Sequence, residues 1–261
     1  MKSFFVTLAA LSLVACGLLA QTPTMTCENQ GDRNRPHFCE IRESTVAVSA
    51  LTVDGRQNGG ISIKGADRAD VLVRAMVQAQ GESDAEARTT GAQVLVHTSG
   101  GGIQADGPAE KSWSVSYEIF VPRHLSNISL KTQNGGVSIN GVESAIEFHA
   151  INGGISLKNV GGDVRGDTVN GGVSVNLTGN SWSGRGLDVS TSNGGVSLNV
   201  PDQFSALLDV ATVNGGMKVG LPNAPSTRDH HVSMTLGAGG PLIRIRAHNG
   251  GVSISNGKAK A

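Results

Sequence analysis

From Asn127 to Asn256, apolar residues recur at alternate positions on both sides of a fixed tripeptide, Asn-Gly-Gly, which predicts strand, turn, strand. The tripeptide, followed by an apolar residue, occurs at Asn58, Asn134, Asn152, Asn170, Asn193, Asn214 and Asn249, and the last six are spaced by 18, 18, 23, 21 and 35 residues. Six residues before the Asn stand Ile128, Ile146, Val164, Leu187, Leu208 and Ile243; four before stand Leu130, Phe148, Gly166, Val189, Val210 and Ile245. After the turn, Val137, Ile155, Val173, Val196, Met217 and Val252 share one column, and Ile139, Leu157, Val175, Leu198, Val219 and Ile254 share another. Ser138, Ser156, Ser174, Ser197 and Ser253 stand between the two, with Lys218 as the exception.

Asn-Gly also favours two-residue hairpins. A unit of 18 residues whose columns repeat from copy to copy fits better with coils stacked in parallel, ~4.8 Å apart. The expected fold is therefore all-β: a parallel β-solenoid, β-helix-like, built from 18–23 residue Asn-Gly-Gly repeats with an N-terminal β-rich cap. Asn and Gly tolerate positive φ at such a turn, and stacked Asn side chains would form an amide ladder. The 35-residue gap leaves room for a degenerate copy around Gly237 to Gly240.

The N-terminal third departs from the columns, because counting back from Asn58 puts Thr52, Asp54 and Arg56 where apolar residues belong. Trp113, Val115, Tyr117, Ile119 and Val121 alternate as a strand, and Pro122 marks the entry to the regular array. Ser83 with Glu86 has the spacing of a capping box, and Gly91 is placed to end the short helix. The expected division is an export signal at 1–20, a cysteine-bearing segment at 21–43, a divergent cap at 44–125, the regular solenoid at 126–258 and a tail at 259–261.

Composition supports a folded, exported chain. Gly and Pro together make 44 of 261 residues, 17%, below the ~25–30% of low-complexity chains. Lys2 followed by the apolar run Phe4 to Ala15 has the form of a signal peptide, too short to span a membrane. Two maturation routes stay open: Leu13-Val14-Ala15-Cys16 resembles a lipobox that would acylate Cys16, and cleavage after Ala20 would release a soluble chain beginning at Gln21. In an oxidising compartment, Cys27 and Cys39 are expected to form a disulfide. Zinc at that pair would need further ligands, and only His37 is near.

Twenty-one basic and 21 acidic residues balance, and aromatics number nine, so neither an electrostatic nor a base-stacking case for nucleic acid arises. Membrane contact is expected only through a lipid on Cys16. A glycosidase or lyase would need paired carboxylates. The best such pair is Asp188 with Asp209 at one offset in successive copies, and Glu147 and Asp167 lie two offsets apart. Flanking cations and scarce aromatics favour a solvated strand face. Asp229-His230-His231 is the one metal-like cluster, and it reads as a polar loop. No catalytic, cofactor-binding or metal residue is assigned, and no cofactor is expected.

Tyr117-Glu118-Ile119-Phe120-Val121-Pro122, then Leu125-Ser126-Asn127-Ile128-Ser129-Leu130, the repeated Asn-Gly-Gly units and Gly239 to Arg246 together resemble the bacterial putative-adhesin domain family over roughly residues 44 to 256. Its members are extracytoplasmic β-solenoids related to the head domains of some autotransporter adhesins. The resemblance implies a fold and an extracytoplasmic compartment. Export, the repeat architecture and the absence of a catalytic cluster lead to the expectation of a non-enzymatic, adhesin-like binding or structural module of the cell envelope, whose partner is an envelope protein or glycan. A polysaccharide-active β-helix enzyme is the alternative. The resemblance carries no functional residues with it.

Overall fold

The structure is a computed structural model that describes residues 25–27, 35–225 and 230–257. The export segment with Cys16, Asp229 and the tail lie outside the described residues. The chain opens with β1 (His37–Val46), β2 (Ala50–Asp54), β3 (Ile61–Ala66) and β4 (Val71–Gln80), then α1 (Asp84–Gln93). It continues through β5 (Leu95–His97), β6 (Gly102–Asp106), β7 (Trp113–Pro122), β8 (Asn127–Thr132), β9 (Val137–Asn152) and β10 (Ile155–Asn170). It closes with β11 (Val173–Asn176), β12 (Gly186–Asn193), β13 (Val196–Pro201), β14 (Ala206–Asn214), β15 (Met217–Gly220), β16 (His231–Leu236), β17 (Leu242–Asn249) and β18 (Val252–Gly257).

These strands form a β-solenoid. Before the turn, parallel pairing runs β6, β2, β8, β9, β10, β12, β17, β14. After it, the order is β7, β3, β9, β10, β11, β13, β18, β15. The apolar columns face inward, so Ile128, Val164, Ile243 and Val210 are fully buried. A Cβ at Gly166 would sit 2.3 Å from the Phe148 ring, so the smallest member of its column adjoins the largest.

Space and sequence disagree at both ends. β2 and β3 lie between β6/β7 and β8/β9, and β17 and β18 lie between β12/β13 and β14/β15. The first and last coils of the sequence are thus each one place in from an end. Antiparallel strands flank the array: β5 on β6, β4 on β7 with β1 beyond it, and β16 on β14.

This placement corrects the expected degenerate copy around Gly237 to Gly240. That stretch follows the antiparallel β16, and Gly237, Gly239 and Gly240, at φ 52°, 78° and 135°, turn the chain back to enter β17. A chain that has laid down the outermost coil must reverse before it can enter beside β12. The copy at Asn58 is a full coil, with Leu51 against Ile128 and Val53 against Leu130. Arg56, at φ 53°, absorbs one extra residue and restores the register that the count from Asn58 missed.

In the cap, Ser83 caps α1 by accepting from the Glu86 amide at 3.2 Å, and Glu86 Oε2 accepts from the Glu82 amide at 2.8 Å. Gly91 does not end the helix, which runs to Gln93. It is there because a Cβ would lie 2.1 Å from the Phe38 ring. Arg42 donates to the Gly91 carbonyl at 3.0 Å, which also accepts the Val94 amide, and to the carbonyl of Val94, tying β1 to the end of the helix. Cys27 and Cys39 form a disulfide.

Candidate functional site: the turn column and the cavity at its end

The Asn-Gly-Gly turns stack into one column. Their glycines are not in the positive-φ region, contrary to expectation. They are required by proximity: a Cβ on Gly135, Gly153, Gly171, Gly194, Gly215 or Gly250 would lie 2.0–2.2 Å from a glycine carbonyl oxygen of the adjoining coil. Thr132, Thr168, Thr191 and Thr212, buried two residues before their Asn, donate at 2.6–2.8 Å to carbonyls of Gly59, Gly153, Gly171 and Gly250 in that coil.

Beside the glycines runs a ladder of seven amides. Each Asn Nδ2 donates to the next Oδ1 at 2.8–3.1 Å, in the order Asn214, Asn249, Asn193, Asn170, Asn152, Asn134, Asn58. All six bonds point the same way, so the ladder ends in the Asn58 Nδ2, which donates to no other described side chain.

That end adjoins a cavity of about 410 Å³ between the turn of β2–β3 and the longer turn of β6–β7. Tyr117 on β7 reaches it from the core. The residue is 1% exposed, and its hydroxyl bonds no described residue. Burial, and secondarily Asp54, push this phenol well above its ordinary range. At the rim, Arg56 Nη2 pairs with Asp106 Oδ1 at 2.7 Å, and His97 lies 3.3 Å from the same carboxylate. Lys111 pairs with Glu86 at 2.7 Å. Trp113, whose Nε1 donates to the Pro108 carbonyl at 2.9 Å, lines one side. The sequence held one signal for this place: the chain's single Tyr stands between Val115 and Ile119 on the apolar side of a strand.

The sheet face before the turn carries charge that alternates in space. The register reads Glu147, Arg165, Asp188, Arg244, Asp209, although along the chain Asp209 precedes Arg244. This corrects the proposed adjacency of Asp188 and Asp209. Arg244 stands between them, 3.5 Å from Asp188 and 3.1 Å from Asp209, because β17 intervenes. Burial alone would raise the Asp209 carboxyl, but hydrogen bonds from His231 at 2.8 Å and from Arg244 outweigh it and hold it below its ordinary value. Asp167 lies opposite His149, 2.9 Å from its Nδ1, and Glu147 lies opposite Arg165.

The two histidines of the metal-like cluster part company. His230 Nδ1 lies 2.7 Å from the Gly215 carbonyl oxygen, and His231 turns to Asp209. Among the described residues no three His, Cys, Asp or Glu side chains gather as metal ligands, and no helix is long and apolar enough to cross a membrane. His37 Nδ1 lies 3.1 Å from the Arg35 carbonyl oxygen, and both cysteines are held in the disulfide.

Residues 44–255 match the family Toastrack DUF4097. The chain belongs to that family. Among solved structures, this Toastrack chain is similar to a putative cell adhesion protein from Clostridium sporogenes, at 10% identity and TM-score 0.47, over 84% of this chain and 100% of that one. It is also similar to a putative adhesin from Bacteroides fragilis, at 12% identity and TM-score 0.38, over 83% and 97% of the two chains. A putative lipid binding protein from Parabacteroides distasonis aligns at 12% identity and TM-score 0.36, over 84% and 97%. No curated protein matches.

Proposed function

We propose that this Toastrack chain is an exported, non-enzymatic, adhesin-like binding module of the cell envelope, a solenoid assembled from Asn-Gly-Gly units. The partner is an envelope protein or glycan. The observation that carries this reading is the alternating charge column: Asp188 and Asp209 are each held against Arg244, so the carboxylate pair that the sequence offered for acid and base work on a glycan is not assembled. The disulfide supports a compartment outside the reducing cytosol.

The test is co-sedimentation of the mature protein with purified envelope polysaccharide and with intact cells, with assay of the supernatant for new reducing ends. Retention in the pellet without sugar release is the expected result. Release of reducing or unsaturated sugar overturns the non-enzymatic reading, and absence from both pellets overturns the binding reading. The mass of the mature protein decides between acylated Cys16 and a chain beginning at Gln21.

A further inference from the structure

We propose that the cavity at the Asn58 end of the turn column is a binding site for an uncharged sugar of one or two rings, a terminal or exposed unit of a larger glycan. This deepens the binding-module reading and rests on it.

Four features of the cavity match the chemistry of a sugar. A sugar hydroxyl both donates and accepts, and the site supplies both roles close together. Tyr117 brings a buried hydroxyl with no described partner. A polar group in that position carries a desolvation penalty that a ligand hydroxyl relieves. Asn58 brings an amide donor at the end of six aligned hydrogen bonds. Chains of hydrogen bonds polarise one another, so the terminal N–H is a better donor than that of an isolated amide. The Arg56–Asp106 pair sets guanidinium donors beside carboxylate acceptors at the rim. Trp113 adds an aromatic surface to the lining, suited to the apolar C–H face of a pyranose.

Charge decides against an anion. Both cations of the lining are already matched, Arg56 by Asp106 and Lys111 by Glu86, and His97 shares the Asp106 carboxylate. A phosphate or carboxylate would have to displace one of these pairs, whereas a neutral polyol bonds to them as they stand. The volume, about 410 Å³, falls in the range of small-ligand pockets, ~300–1,000 Å³.

The experiment is titration calorimetry of the full mature chain with cellobiose, maltose, lactose and N,N′-diacetylchitobiose, with inorganic phosphate as the charged control. At least one disaccharide is expected to bind one to one, and phosphate is not. Tyr117→Phe should weaken that binding about fivefold, the worth of one neutral hydrogen bond, while its melting temperature stays level or rises because an unbonded hydroxyl leaves the core. Asn58→Ala, at an exposed position, should weaken binding to a similar extent. Failure of all four sugars to bind, or equal binding by wild type and Tyr117→Phe, overturns the proposal, as does phosphate competing with the sugar. The two readings fail separately. Co-sedimentation with no disaccharide binding removes the pocket and keeps the module, whereas disaccharide binding with no co-sedimentation removes the adhesion reading.

Discussion

Gly153 and Gly154 occupy neighbouring positions in one turn, yet they are not equivalent. A Cβ on Gly153 would meet the Gly135 carbonyl oxygen at 2.0 Å, a backbone atom that cannot step aside, whereas a Cβ on Gly154 would rest 3.4 Å from that of Gly172. Gly153→Ala is expected to lose about 1–3 kcal/mol or more in urea unfolding, and Gly154→Ala less than about 0.5 kcal/mol. Equal losses would mean that φ, and not coil spacing, selects the glycines. Asp209 yields a second prediction at this scale. Its folded carboxyl is held below the ordinary value near ~3.9, so the stability it contributes is complete above that pH and is lost as pH falls through the folded value. The melting temperature of wild type should exceed that of Asp209→Asn at pH 6, and the gap should close as pH drops below about 4. A gap that persists at pH 2 would refute the assignment.

At the level of elements, the N-terminal end is tied by a buried charge cluster. Glu118 on β7 is 1% exposed and pairs with Lys64 of β3 at 2.6 Å and Arg74 of β4 at 2.5 Å, and Arg74 reaches Glu43 of β1 at 2.7 Å. Removing the shared carboxylate leaves two cations without it in the interior of a four-strand junction. Glu118→Ala is therefore expected to lose about 3–5 kcal/mol, measured by denaturant unfolding, with hydrogen exchange rising first in β1 and β4. The regular strands were legible in the sequence, because each inward column is a period-two run on either side of a fixed turn. The copy at Asn58 was read as departing from the columns, since the extra residue taken up at Arg56 leaves no mark in hydrophobic periodicity. β16 was not legible as a reversal: Val232, Met234 and Leu236 alternate as they would in either direction, and strand sense is absent from such a pattern. Of the candidate site, the amide column was evident from the Asn spacing. Tyr117 was seen only as a core residue, because whether a hydroxyl finds a partner depends on the turn above it.

Across the whole molecule, the order of the coils places opposite charges side by side on the outer face. Apolar columns alone would let the coil of β14 and β15 dock directly on β12 and β13, since the inward positions of both coils are apolar. That register would set Asp209 beside Asp188, and β17 prevents it by placing Arg244 between them. Arg244→Glu would put three carboxylates in a row, and it is expected to lower the melting temperature most at neutral pH and low salt. A chain truncated after Pro241 should keep slow exchange in β8 to β10 and lose it in β14 and β15. Protected β14 amides in that truncation would show that the coils can restack without the inserted pair. The same ordering bears on biosynthesis. A nascent polypeptide that has emerged as far as Gly220 can zip up its middle coils as they appear, but the coil of β14 and β15 lacks its neighbour until β17 and β18 follow. A chain interrupted before Leu242 therefore forfeits two layers of the stack at once, that of β17 and β18 and that of β14 and β15.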